Sequence, residues 1–233
     1  MATIGLCIIS KEYDDDIRRI IRDYANYFDQ IYIQINGSGI VPASKNKIHF
    51  SQFKWTNDFA KARNAVLKEV TTDYWFWLDT DDSIENPENI ENIVRTMESN
   101  SIDIMYLRYI TAYNAIGEPI SMLLRERIIR TALNLKWNGA CHETVSLRSR
   151  LKILMDLGVT IKHADKTQAM NTASSKRNLK ILLNEYAKGN RKAMTLLYIA
   201  AEYNVLKNLT GADKYYNRAL IATRRKIIKY SIL

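Results

Sequence analysis

The chain has 233 residues, 47% of them hydrophobic and 25% charged, with only 3 Pro and 8 Gly. That length buries a full core as one domain with an appendage or as two small domains, and the composition excludes a disordered, collagen-like or disulfide-dense chain. The net charge of +9 is uneven: residues 176–233 hold 13 Lys and Arg against 3 Asp and Glu, whereas residues 1–175 hold 21 against 22.

Thr3–Ser10 is an apolar, β-branched run and predicts a first parallel strand, entered directly from Met1-Ala2 with no basic leader or cleavage site. Asp14-Asp15-Asp16 supply a cap and first-turn acids for a helix from Ile17 to about Phe28. Ile31–Ile35 predicts a second strand, ended by the turn Asn36-Gly37-Ser38-Gly39, and Lys47–Phe53 a third. Thr56 or Asn57 is the expected cap of a helix running to about Val70. Tyr74–Leu78 is short, unbroken and apolar, as in a parallel strand buried on both faces, and a polar helix follows near Pro87–Ser99. Strands alternating with helices across short links predict an α/β fold, a mostly parallel sheet flanked by helices.

After Ser101 the pattern changes. Ile102–Ile110 and Ile120–Arg130 predict a hairpin or small mixed sheet laid beside the main one, and Val159–His163 a last short strand. From about Ala173 the period is helical, giving three helices, so the chain divides into residues 1–170 and a small, basic, all-α region at 171–233. Cys7 and Cys141 fit no metal spacing and read as reduced core thiols. No apolar run approaches the ~18–20 residues of a membrane span, so the expectation is a soluble, cytoplasmic protein. The one-sign charge of the last quarter predicts a polyanionic partner, DNA first and an acidic peptide or anionic membrane surface after it. Arg225, Lys226 and Lys229 are among the residues that carry it.

The β-strand at Tyr74–Leu78 runs straight into Asp79-Thr80-Asp81-Asp82-Ser83. In open α/β sheets ligands gather beyond the carboxyl ends of such strands. Carboxylates crowded there repel one another unless a cation or a donor network offsets them, and Mg²⁺ is typically held by one or two carboxylates plus phosphates. The stretch therefore reads as a metal–diphosphate site. Its plain alternative is that Asp82 and Ser83 cap the next helix.

The run Trp55-Thr56-Asn57-Asp58-Phe59-Ala60-Lys61-Ala62-Arg63-Asn64 resembles the W-x-x-D-F-A-x-A-R-N segment of family 2 glycosyltransferases. Leu78-Asp79-Thr80-Asp81-Asp82 is similar to that family's Asp-x-Asp segment, Trp137-Asn138-Gly139-Ala140-Cys141-His142-Glu143 to its W-x-G-x-x-H-E, and Ile161-Lys162-His163 to its later strand ending in His. Four motifs in order span roughly residues 3–165, and the helical tail resembles the branch that carries tetratricopeptide-like helices. The resemblance implies a GT-A fold and a metal-dependent, inverting transfer of a sugar from a nucleotide-sugar, with a UDP-hexose as donor and Mn²⁺ or Mg²⁺ as cofactor.

On that resemblance Asp81 is the first metal ligand, with Asp79 beside it or nearer the ribose. His163 either completes the metal set or is a packed strand-end histidine. Glu143 is the first choice for the base that takes the acceptor proton, with Asp82 as its rival. Arg63, Asn64, Arg127 and Arg130 are candidate diphosphate donors, and Trp55 and Trp137 candidate stacking surfaces. Where the family carries an acid in a D-x-G-S context, this chain has Gln34-Ile35-Asn36-Gly37-Ser38, so Asn36 is the candidate reader of uracil. The charge of residues 176–233 makes a modified base in DNA the expected acceptor, whereas the resemblance to the tetratricopeptide-like branch favours a peptide; a lipid-linked glycan is a further alternative, and so is an inactive sugar- or nucleotide-binding relative.

Overall fold

A computed structural model describes residues 1–231, with side chains through Arg224. Strands β1 (Ile4–Ser10), β2 (Gln30–Ile35), β3 (Ile48–Gln52) and β4 (Tyr74–Leu78) run parallel in the spatial order β3-β2-β1-β4. Helix α1 (Asp15–Tyr24) follows β1 and is capped by the Asp14 carboxylate, which accepts from the Ile17 N–H at 3.1 Å. Helix α2 (Phe59–Val66) is shorter than its sequence pattern implies. It starts after Asp58 because Asn57 takes a left-handed φ of 56°, and it gives way to a turn after Val66.

All five residues of β4 are buried, and they serve two cores. Tyr74, Phe76 and Leu78 pack with Ile17, Ile20, Ile31 and Ile33 on one face. Trp75 and Trp77 pack with Ala60, Val66 and Trp137 on the other. Period-2 alternation between two apolar layers is what an uninterrupted apolar strand requires.

Strand β5 (Asp82–Glu85) comes next, then α3 (Ile90–Ser99), which buries Ile90, Ile93, Val94 and Met97. Asp82 and Ser83 thus lie in a strand and do not cap a helix. Strands β6 (Ile104–Tyr113) and β7 (Pro119–Arg130) form the expected hairpin, but within the main sheet. β7 pairs antiparallel with β4, giving one eight-stranded order β3-β2-β1-β4-β7-β6-β10-β5. A two-stranded ribbon, β8 (Trp137–Asn138) with β9 (Thr144–Val145), brackets the loop of the Trp motif. The last strand, β10 (Ile153–His163), is longer than its apolar end at Val159–His163; a bulge between Asp156 and Thr160 joins two paired halves.

The remaining helices are α4 (Gln168–Ala187), α5 (Ala193–Val205) and α6 (Leu209–Ser231). α4 starts ahead of Ala173 because Thr167 caps it. Two compact units result. The sheet unit is Met1–Thr56, Ala60–Asn138 and Thr144–Asp165; the helical unit is Lys166–Leu233 together with Asn57–Phe59 and Gly139–Glu143. Among the described residues no helix is long and apolar enough to cross a membrane. Cys7 and Cys141 are buried free thiols.

Candidate active site

The chain leaves β4 in a tight turn closed by the Asp82 N–H to the Asp79 carbonyl at 3.0 Å. Pairing of β5 with β10 sets Asp82 opposite His163, and the Ala164 N–H reaches the Asp81 carbonyl at 2.9 Å. From α1, Arg19 donates to the carbonyls of Thr80 (2.8 Å) and Asp82 (3.1 Å), and the Tyr24 hydroxyl accepts the Ile84 N–H at 2.9 Å. The turn is clamped on both sides before any ligand binds.

Asp82 is fully buried. Its Oδ1 accepts from the Tyr109 hydroxyl at 3.1 Å and from His163 Nδ1 at 2.9 Å; its Oδ2 takes both Arg127 guanidinium nitrogens at 3.3 Å. Arg127 lies 3.7 Å over the Trp77 ring and 4.4 Å over Tyr109. Burial, then the Asp82 charge, pushes the Tyr109 hydroxyl up, so it acts as a neutral donor. Asp81, Asp82 and His163 each place a ligating atom within 4.8 Å of the other two. Carboxylate oxygens suit Mg²⁺ and Mn²⁺, and imidazole favours Mn²⁺, so the donor set fits the implied ion. Asp81 and His163 remain 32% and 20% exposed, whereas Asp82 has none of its side chain open. Both carboxylates approach the Nδ1 side of His163, Asp82 at 2.9 Å and Asp81 at 3.7 Å, and the more exposed of the two is Asp81.

Asp79 is turned away from this trio. Arg63 of α2 holds it at 2.6 Å, and the Arg63 guanidinium also lies over the rings of Trp77 and Trp137. Burial raises the Asp79 carboxyl, but Arg63, with Arg127 and His163, more than offsets it and keeps it below the usual carboxylate range.

Several expected ligand contacts are occupied by the fold itself. Arg127 is sealed against Asp82 and the Trp77 carbonyl. Arg130 pairs with Tyr74, at the opposite end of β4 from the aspartates, and bonds the Ile102 carbonyl and Asp103. Asn64 spends its amide on the backbone of Trp137, donating to its carbonyl and accepting from its N–H, both at 2.9 Å. Trp137 is 3% exposed and packs edge-on to Trp77, which leaves no ring face for a sugar or base. Asp82, without solvent, has no access to an acceptor proton. Asn36 differs: its Oδ1 is buried at the carboxyl end of β2 with no hydrogen-bond partner. Arg19, Tyr24 and Tyr109 escape a sequence reading, since none belongs to a motif and each reaches the turn only through packing.

Glu143 and His142 belong to the helical unit. His142 Nε2 meets the Glu202 carboxylate of α5 at 2.9 Å and its ring stacks on Tyr198, centroids 4.3 Å apart. Burial opposes protonation of His142, but hydrogen bonds to Cys141 and Glu202 push it up to about 10.

A sequence model of the family described as "Glycosyl transferase family 2" matches residues 6–150, more than half of the chain. The SPbeta prophage-derived glycosyltransferase SunS of Bacillus subtilis (strain 168) is 25% identical over 191 residues, covering 78% of this chain and 44% of that protein. The chain thus spans less than half the length of this curated relative. Among solved structures, TarS of S. aureus shares the fold at a TM-score of 0.50 and 13% identity, over 87% of this chain and 43% of that one. Its residues 1–349 in complex with UDP-GlcNAc match at 0.47 and 14%, over 87% and 72%.

Proposed function

The chain belongs to glycosyl transferase family 2, and we propose that it moves a sugar from a UDP-sugar to an acceptor hydroxyl with the aid of Mn²⁺ or Mg²⁺. The observation that carries this reading is the trio Asp81, Asp82 and His163 at the carboxyl end of β4. A divalent cation bound there supplies positive charge as the diphosphate departs. Asp81 and His163 would hold it. Asp82, neutralised by Arg127 and fixed by Tyr109, orients His163 through Nδ1, as a carboxylate behind a ligating histidine commonly does. Asp79, kept ionised by Arg63, faces the nucleotide, with ribose as its partner. Asn36 Oδ1 is a carbonyl acceptor without a donor, and the N3–H of uracil is a donor of the required kind. Glu143 is the base by its motif, taking the acceptor proton while the sugar inverts.

The acceptor belongs, on charge, to the polyanions, and DNA is placed first among them; the enzyme would act in the cytoplasm. A thermal-shift panel of nucleotide-sugars with and without Mn²⁺ tests the donor. A ligand at 100 times its dissociation constant adds about 2.7 kcal/mol. UDP-sugars should raise the melting temperature with Mn²⁺ present, and GDP- or ADP-sugars should not. A shift from GDP-sugars alone would overturn the uracil assignment, and no shift from any donor would overturn the transferase reading.

A further inference from the structure

Glu202 is the only acid in α5, a helix that otherwise reads Ala-Met-Thr-Leu-Leu-Tyr-Ile-Ala-Ala before it, and it is 6% exposed. A buried carboxylate is costly unless paired and hydrogen-bonded. Here it accepts from His142 Nε2 at 2.9 Å and from Asn178 Nδ2 of α4 at 3.1 Å. Tyr198, one turn earlier on the same face of α5, supplies the ring on which His142 stacks, with planes 25° apart. The imidazole is thus gripped at its edge and on its face by a single helix.

The backbone gives a reason for that grip. His142 sits at a left-handed φ of 53°, a conformation that costs a non-glycine residue about 1 kcal/mol or more and persists only where surroundings over-determine it. A second strut holds the same loop: the Ala140 carbonyl accepts the Phe59 N–H at 2.9 Å, and the Arg177 guanidinium of α4 lies 5.1 Å over the Phe59 ring. The five residues Gly139–Glu143 are therefore tied at Ala140 and at His142, and Glu143 is the next residue along. Stability alone does not call for this device. Replacing the whole pair, His142 and Glu202 together, by packed apolar groups is often neutral or favourable.

We propose that His142 and Glu202 are positioning residues for Glu143: the helical unit holds the loop that carries the base, by clamping His142 between Glu202 and Tyr198. This rests on Glu143 being the base, and the experiment separates the two claims.

The full chain is prepared as Glu202→Gln, Glu202→Met and Glu143→Gln. Two quantities are measured: amide hydrogen exchange over residues 139–143, and Mn²⁺-dependent release of UDP from UDP-glucose and UDP-GlcNAc. Both Glu202 variants should exchange the loop about tenfold faster, with protection of β1 and β4 unchanged. Their kcat should fall about tenfold or more, while KM for the UDP-sugar stays within twofold. Unchanged protection of β1 and β4 in the same samples excludes a mere folding defect. Loop protection equal to wild type in both variants overturns the clamp. A loosened loop with undiminished kcat, alongside an inactive Glu143→Gln, overturns the positioning role. Near wild-type turnover in Glu143→Gln overturns the base assignment instead, and exchange alone then decides the clamp.

Discussion

Asp82 organises its neighbours because it is the carboxylate of the turn with no water around it. An isolated buried carboxylate is costly; this one faces a guanidinium, a phenol and an imidazole. Removing its charge leaves Arg127 buried and uncompensated, which typically costs 3–5 kcal/mol. Asp82→Asn should accordingly lower the denaturation free energy by about that much, read from urea melts. Asp81→Ala should behave oppositely. Its side chain is one-third exposed, so the melt should stay within about 1 kcal/mol of wild type while Mn²⁺-dependent UDP release disappears. Near wild-type turnover in Asp81→Ala at saturating Mn²⁺ would remove the metal assignment. Three acids at a strand end are visible in the sequence. Which of them turns inward is not, because that depends on His163, 81 residues away. The same holds for Arg63 and Arg127: a sequence shows an arginine near a motif, but not the tryptophan ring or carboxylate that already occupies it.

At the scale of elements, the parallel half of the sheet was legible because β1 and β4 are continuous apolar runs and β2 is nearly one. The placement of β7 against β4 was not, since antiparallel insertion is a matter of long-range pairing and the hairpin alone fits a separate sheet equally well. β5 escaped notice for another reason: Asp82–Glu85 is short and half polar, and its strand state comes from β10. The Gly139–Glu143 loop shows the same dependence, and it carries a pH signature. His142 is raised from 6.5 to about 10, so its pairing contributes fully below about 6.5 and is lost as pH rises through 10. Glu202 is lowered despite its burial, through hydrogen bonds from His142, Ser175 and Asn178, so its share is present above the ordinary Glu value and lost in acid. Loop exchange, corrected for the intrinsic rate, should therefore be slowest near pH 5–6.5 and rise toward pH 10. In Glu202→Gln that rise should be largely absent; an equal rise in both proteins would detach the pH response from this pair.

For the whole molecule the governing quantity is where the charge sits. Residues 176–233 contain 13 basic and 3 acidic residues. Of the three acids Glu202 is buried with His142, and Glu185 faces Lys188 at 3.3 Å. Lys176, Lys180, Lys192, Lys207 and Lys214 are exposed, whereas Arg191 and Arg218 lie against the Tyr186 ring. The side chains of Arg225, Lys226 and Lys229 lie outside the described residues. A solvated helical face normally mixes both signs, so one that does not favours a polyanion. Each phosphate neutralised contributes about −0.9 to the slope of log affinity against log salt. Contact with four phosphates then gives a slope near −3.6, a loss of roughly 150-fold between 50 and 200 mM salt. Duplex DNA titrated with the full chain should show a slope of about −3 or steeper, and Lys176→Glu with Lys180→Glu should flatten it by about two. No binding at about 50 mM salt, or a slope near zero, excludes DNA and moves the acceptor to an acidic peptide or a lipid-linked glycan. Vesicles of anionic lipid titrated in parallel separate a membrane surface from both.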